Sequence, residues 1–345
     1  MPEVAGVDQI NFQVPMDAPT GCYVPVQVRV GNTYSNIVTM AIHSTGQACS
    51  DPQNPFGDLV AKGRKGGSIF LVRAAVTAQI DPSQPPLDLT LDLGIGAFEQ
   101  NTGQGDLGFS PLFSLPPVGS CTSYSGNFDL STLLSGDPTS TASGFLGILG
   151  RELDAGPSLS ITGPKGNAIP MPHMDAEKNT GPYIALLGGA SPLDSSSTLP
   201  PFLDPGTFRI TGPGGRDVGP FSASVTIGSP ILWTDKFTQF DRTAPLTLHW
   251  TGGDASKMVL IGGASINSTS KAAAMFFCFV PSAPNTFTVP VSAMSNLPPT
   301  LGVENALGAL IFGSFPGSFP TFNASGIDSG LIFNAALAAK MLGIQ

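Results

Sequence analysis

Charged side chains are scarce in this chain of 345 residues, at 11% of the total, although the formal net charge is −9. Lysine and arginine form no cluster, which argues against nucleic acid as a partner. Long hydrophobic runs are also missing. The longest spans residues 272–280, far short of the ~20 residues that cross a bilayer as a helix, so no membrane span is expected.

Motifs that would indicate a common catalytic site are absent as well. The three histidines, His43, His173 and His249, lie far apart, and neither H-E-x-x-H nor G-x-S-x-G occurs. Asp88 and Asp92 share one face of a predicted strand, opposite a row of leucines, but four residues of strand separate them by roughly 13 Å. The paired carboxylates of glycosidases lie within about 9.5 Å of each other. The sequence therefore predicts no catalytic residue.

Glycine and proline are abundant, with 42 and 33 residues. This composition is typical of many strands joined by tight turns. Leu246, Leu248 and Trp250 alternate with polar residues, whereas 257–261 and 275–280 are apolar at consecutive positions. We expect the two apolar runs to be strands in the middle of a packed β structure, with alternating strands flanking them. The predicted fold class is all-β.

Three further stretches give local predictions. Residues 159–166 (LSITGPKG) and 208–215 (FRITGPGG) are near copies, and we expect them to be equivalent edge strands of a sandwich. Residues 290–297 begin with proline and fit a single helical turn. Residues 334–342 (NAALAAKML) are rich in strong helix formers and are predicted to form a short helix.

Four cysteines are present, and none form a C-x-x-C pair, which argues against a zinc site. Of the three possible pairings we favour Cys22–Cys49 together with Cys121–Cys278. Buried free thiols are the alternative. Disulfides would indicate an oxidising compartment.

A family resemblance is carried by residues 5–44. The segments GVDQINFQVP (6–15), VPV (24–26) and SNIVT (35–39) resemble the C-terminal half of an immunoglobulin-like, IPT/TIG-type domain. Such domains close many uncharacterised secreted proteins of soil bacteria, and residues 151–333 resemble companion regions of no named activity. The resemblance implies display and assembly, brings no catalytic residues, and leads us to expect a signal peptide upstream of Met1.

This resemblance and the composition together define the expected domains. Residues 1–46 are predicted to form a partial immunoglobulin-like sandwich, and 47–67 a linker by their proline, glycine and charge content. Residues 68–345 are expected to form a larger β-sandwich domain of unknown function. The chain is expected to be secreted or held at the cell surface.

Two groups of residues are candidates for binding. Trp233, Phe315 and Phe319 are aromatic residues that could bind a ligand, because exposed aromatics often mark such surfaces. One loop holds three candidate metal ligands: His173, Asp175 and Glu177. No cofactor is predicted, with calcium bound by scattered loop oxygens as the alternative.

The sequence therefore favours a non-catalytic extracellular or cell-surface structural or interaction protein. Its expected partner is a protein or a polysaccharide at the cell surface. A carbohydrate-binding module is the first alternative, motivated by the two tryptophans. A hydrolase with a carboxylate-based site is the second.

Overall fold

The computed structural model describes residues 9–31, 33–43, 63–78, 87–101, 115–127, 150–191 and 194–345. Within these residues the chain forms twenty-four β-strands and one helix of a single turn. The predicted all-β fold class is confirmed.

The bounds of the strands follow in chain order. They are β1 Gly21–Val26, β2 Arg29–Val30, β3 Thr33–Tyr34, β4 Val38–Ile42, β5 Lys65–Ala78, β6 Leu87–Asn101, β7 Ser120–Asn127, β8 Gly150–Glu152, β9 Ser158–Thr162, β10 Ala168–Asp175, β11 Thr180–Ser191, β12 Asp194–Leu199, β13 Gly206–Gly212, β14 Phe221–Ile227, β15 Leu232–Trp233, β16 Gln239–Phe240, β17 Leu246–Thr251, β18 Lys257–Asn267, β19 Ala272–Pro281, β20 Thr286–Val289, β21 Ala306–Pro316, β22 Thr321–Phe322, β23 Ser329–Met341 and β24 Gly343–Ile344. The helix, α1, spans Val291–Met294 and confirms the predicted helical turn.

The N-terminal strands form two small sheets. β1 pairs antiparallel with β4, and β2 with β3, while residues 9–20 form no strand. Two hydrogen bonds join this region to the segment around α1. The side-chain amide of Gln27 donates to the carbonyl oxygen of Ser292 at 3.1 Å, and that of Asn296 donates to the carbonyl oxygen of Ser35 at 3.2 Å.

One large mixed sheet contains fifteen of the described strands. Its main path runs β14-β13-β9-β10-β11-β6-β5-β23-β21-β18-β19-β7, with β8, β12 and β22 attached beside it. All of these pairs are antiparallel except β5 with β23, which run parallel in continuous register from Ser329↔Gly66 to Lys340↔Thr77. β5 begins at Lys65, inside the linker predicted at 47–67.

One face of this sheet is covered in two separate places. Near one end the sheet curls so that β14 contacts β23, and the strands β5, β6, β9, β11, β13 and β14 enclose the first core. Near the other end, the small sheet β15-β17-β20 and α1 cover β18, β19 and β21, which forms the second core. A third core lies on the opposite face and includes Phe70, Phe279 and Phe333.

The two apolar runs form inner strands of the large sheet, as predicted, and they are also neighbours. β18 and β19 pair along their whole length, from Met258↔Pro281 to Asn267↔Ala272. The alternating strand at 246–251 is confirmed as β17, with one face buried and the other exposed. It lies in the separate sheet that covers β18 and β19, where its apolar face, with Trp250 only 2% exposed, completes the second core.

The two near copies are neighbours within the large sheet. Residues 159–162 and 208–211 form parts of β9 and β13, which pair directly, with Ile210 opposite Ile161. β10 and β14 flank them, so the prediction of two equivalent edges was wrong. Similar sequences meet here because both strands present the same apolar alternation to the first core.

Residues 334–341 form a strand and not the predicted helix, because they belong to β23. Alanine, leucine and lysine favour helix by only a few tenths of a kcal/mol per residue. Hydrogen bonding to β5 on one side and to β21 on the other outweighs this preference. From Ala336 to Lys340 the backbone of the strand is therefore paired along both edges.

The disulfide between Cys121 and Cys278 is present, as predicted. The two residues lie directly opposite each other in β7 and β19, and Cys278 is buried in the second core. The bond therefore attaches the edge strand β7 to the sheet. Cys49 lies outside the described residues, so the Cys22–Cys49 pairing stays a prediction.

Replacing both cysteines of this bond (Cys121→Ala with Cys278→Ala) is expected to lower the free energy of unfolding by about 2–4 kcal/mol. The bond closes a loop across a sequence separation of 157 residues, and opening it gives the unfolded chain more conformational entropy. Urea unfolding of the variant and the native protein measures the difference. Equal stability, or titratable thiols at both positions in the denatured, unreduced native protein, would contradict the pairing.

Candidate functional site

A groove lies on the large sheet between the two covered regions, and we call it the central groove. It encloses about 260 Å³. Its floor is formed by side chains of four adjacent strands, and its walls by the segments around residues 203–205 and 226–230. The floor residues are Arg73, Lys257, Ser314, Asn334 and Ala336.

Strand register explains why these floor residues meet. Ala336 of β23 lies opposite Arg73 of β5 on one side and Ser314 of β21 on the other. Side chains alternate between the faces of a strand, so Asn334 and Ala336 share the face of Ile332 and Ala338. Ile332 packs into the first core and Ala338 against the second, which leaves the two positions between them to the groove.

A buried ion pair borders the groove. Arg73 binds Asp92 of β6 with Nε to Oδ1 at 2.7 Å and Nη2 to Oδ2 at 2.8 Å, and the Asp92 side chain is 0% exposed. The backbone N–H groups of Phe202 and Leu203 also donate to Asp92 Oδ2, at 2.7 and 2.9 Å. Burial favours the neutral carboxyl, but these hydrogen bonds together outweigh it, so the pKa of Asp92 lies below its ordinary value.

The charges near the groove are balanced. Arg73 also lies 3.5 Å from Asp204, which Lys165 approaches at 3.4 Å. On the other side, Lys257 Nζ lies 3.2 Å from Asp254 Oδ2 and donates to the carbonyl oxygen of Ser229 at 2.9 Å. Both cations of the floor therefore already have carboxylate partners.

The burial of Asp92 was not foreseen from the sequence. The row of leucines around it predicts a leucine face turned inward, whereas the structure turns Asp92 and Gly94 inward and leaves Leu91 and Leu93 half-buried. Gly94 faces the first core because a Cβ atom there would meet Met171 at 3.2 Å. The only sequence signal was a single arginine, Arg73, within an otherwise apolar strand.

Trp233 is half-buried at the edge of the second core. Its ring stacks on Phe312 with centroids 5.9 Å apart, and Lys340 Nζ lies 4.0 Å from the ring centroid. The indole N–H donates to Asp235 at 3.1 Å, and the other oxygen of this carboxylate lies 2.9 Å from His249 Nδ1. Burial lowers the pKa of Lys340. The ring is thus packed by protein groups and is no flat, open platform.

Phe315 and Phe319 lie on the other face of the large sheet. Both contact Phe333, with ring centroids 6.4 and 4.8 Å away, and belong to the third core or pack against it. Trp233 packs against the opposite face, through Phe312. The structure therefore does not bring the three predicted ligand-binding aromatics together.

His173 is buried, with both ring nitrogens close to backbone carbonyls. Nδ1 lies 2.8 Å from the oxygen of Gly181, and Nε2 lies 3.2 Å from that of Gly156. A carbonyl oxygen only accepts hydrogen bonds, so whichever ring nitrogen carries the proton donates to the carbonyl beside it. Asp175 is paired with Lys178 at 2.9 Å.

The predicted metal ligands His173, Asp175 and Glu177 are thus not assembled into one site. Across the described ranges, no group of three or more histidine, cysteine, aspartate or glutamate side chains is close enough to hold a metal ion. For the alternative prediction of a bound calcium ion, the described residues likewise contain no such group of side chains. The described residues also include no helix that is long and apolar enough to span a membrane.

A second, apolar groove lies in the N-terminal region, and we call it the N-terminal groove. It encloses about 820 Å³ between the segment 9–19 and the sheet of β1 and β4. Ile10 and Phe12 line it and are 63% and 60% exposed, although both are large apolar residues. Asp17 is the one charged residue among the described residues that line it.

A scan against protein-family models and a search of curated proteins return no match to this chain. The structure thus defines a mostly-β protein with a large mixed sheet, and the family resemblance of residues 5–44 is not established by these comparisons.

Replacing Asp92 with asparagine is expected to lower the free energy of unfolding at pH 7 by about 3 kcal/mol, because Arg73 loses its buried partner. The pKa of Asp92 is lower in the folded protein than in the unfolded chain, where it is about 3.9. The ionised carboxylate therefore stabilises the fold fully at pH values above about 3.9, and this stabilisation is lost as the pH falls through the native pKa. The difference in the free energy of unfolding between the native protein and the variant should therefore be smaller in acid. Urea unfolding at pH 7 and at pH 3 measures it.

The matched control is Asp88→Asn, which removes an exposed carboxylate from the same strand. It should change stability by about 0.5 kcal/mol or less. If the two variants lost equal stability at pH 7, the pair of Arg73 and Asp92 would not stabilise the sheet.

Proposed function

We propose that this chain is a non-catalytic extracellular or cell-surface interaction protein, and that it binds a protein partner through the N-terminal groove. The observation that carries the proposal is the exposure of Ile10 and Phe12 beside the apolar positions of β1 and β4. Contiguous apolar surface of this kind marks protein interaction sites, because covering it removes it from water.

The chemistry of the groove favours an apolar, extended protein segment as the occupant. The described residues of the lining carry one charge, that of Asp17, so attraction of a highly charged partner is not expected. Within the described residues β1 and β4 form a sheet of two strands, and so small a sheet is marginally stable alone. A partner strand laid over it would bury the apolar positions and stabilise both elements.

Two further observations support the extracellular part of the proposal. The Cys121–Cys278 disulfide fits an oxidising compartment, since such bonds are rare in the cytosol. The resemblance of residues 5–44 to part of an IPT/TIG-type domain fits a role in display and assembly at the cell surface.

A photoreactive phenylalanine analogue at position 10, introduced in the cells that produce the protein, tests the proposal. We expect a discrete adduct with a second polypeptide after irradiation. Phe12→Ser should weaken binding of the partner by about 2 kcal/mol, or roughly 30-fold in affinity, because a central aromatic contact is lost. The adduct should decline accordingly on a denaturing gel.

Leu307→Ser is the control, because Leu307 is 47% exposed but does not line the groove. It should leave the adduct unchanged. An absent adduct at position 10, or an equal loss with both serine variants, would refute the proposed interaction surface.

A further inference from the structure

We propose that the central groove is a binding site for a neutral, hydroxylated ligand of about the size of one sugar residue, such as the end of a glycan. The groove uses a surface far along the chain from the N-terminal groove, and it adds a second, separate binding activity. Four features of its residues carry this inference.

The first feature is a pair of polar groups without partners on the floor. The Asn334 carboxamide and the Ser314 hydroxyl make no hydrogen bond with any described residue. Both side chains are half-buried at the bottom of the groove. Their polar atoms stay accessible from the groove, so a ligand that enters it can bind them in place of water. A ligand hydroxyl suits both groups, because it both donates and accepts.

The second feature is the position of Asn334 in its strand. β23 is otherwise almost entirely apolar, and its neighbours along the same face are Ile332 and Ala336. Packing alone would favour an apolar residue at this position, as in the two adjoining cores. No contact within the described fold uses this carboxamide, which leaves it available to a ligand in the groove.

The third feature is the charge balance, which selects a neutral ligand. Arg73 is held by Asp92 and approached by Asp204, while Lys257 is held by Asp254. An anionic ligand would be repelled by these carboxylates, and a cationic ligand would be repelled by the two bases. Neither the positive nor the negative side chains therefore carry an unpaired charge that a ligand could neutralise.

The fourth feature is the apolar wall. Leu203, Pro205, Ile227 and Pro230 line the sides above the polar floor. A pocket with apolar walls and a few fixed polar groups is the usual form of a small-molecule site. A sugar ring matches it, because its C–H groups can pack on the walls while its hydroxyls reach Asn334 and Ser314.

Saturation-transfer NMR on the purified full chain tests the site with four probes: glucose, galactose, mannose and N-acetylglucosamine. We expect saturation transfer to at least one of them. Asn334→Ala should lower the affinity for that sugar about tenfold, since it removes hydrogen bonds to a neutral ligand. Ala336→Leu should abolish binding by filling the groove floor.

Ala339→Leu is the matched control, because it makes the same change on the opposite face of β23 and should leave binding intact. Glucuronate and glucosamine serve as charged probes and should bind more weakly than the neutral sugar. Thermal unfolding checks that each variant is folded, and if Ala336→Leu is not, Asn334→Ala decides alone. Absence of binding by all four neutral sugars, binding that survives the groove variants, or preference for a charged probe would overturn the proposal.

Discussion

Burial of a long mixed sheet is the constraint on which the rest of the structure depends. A sheet with apolar residues on both faces has to be covered on both. Here one face is covered twice, once where the sheet curls so that β14 reaches β23, and once by β15, β17, β20 and α1. The central groove exists because these two coverings do not meet.

The residues at this gap show how the sheet tolerates an uncovered strip. The strands that cross it carry Arg73, Lys257, Ser314 and Asn334, all polar, where the covered parts carry aliphatic and aromatic side chains. The cations are matched by carboxylates, of which Asp92 is fully buried. At the far end of the sheet the disulfide holds the edge strand β7 in register with β19.

Several features of this fold could be read from the sequence, and the reasons are local. The inner position of β18 and β19 follows from two runs that are apolar at consecutive positions, and α1 follows from a proline at its start. Features that depend on distant strands could not be read. Residues 334–341 look helical until β5 and β21 are known to flank them, and Asp92 looks exposed until Arg73 is found opposite it. The groove is a product of such long-range register, so none of its floor residues stood out in the sequence.

Native-state hydrogen exchange tests the central claim most directly, that one continuous sheet unites both covered regions. β5 and β23 on one side and β18 and β19 on the other should open with the same free energy, because the sheet joins them through β21. Two distinct opening free energies, with the strands of the first core exchanging independently of those of the second, would contradict a single cooperative sheet.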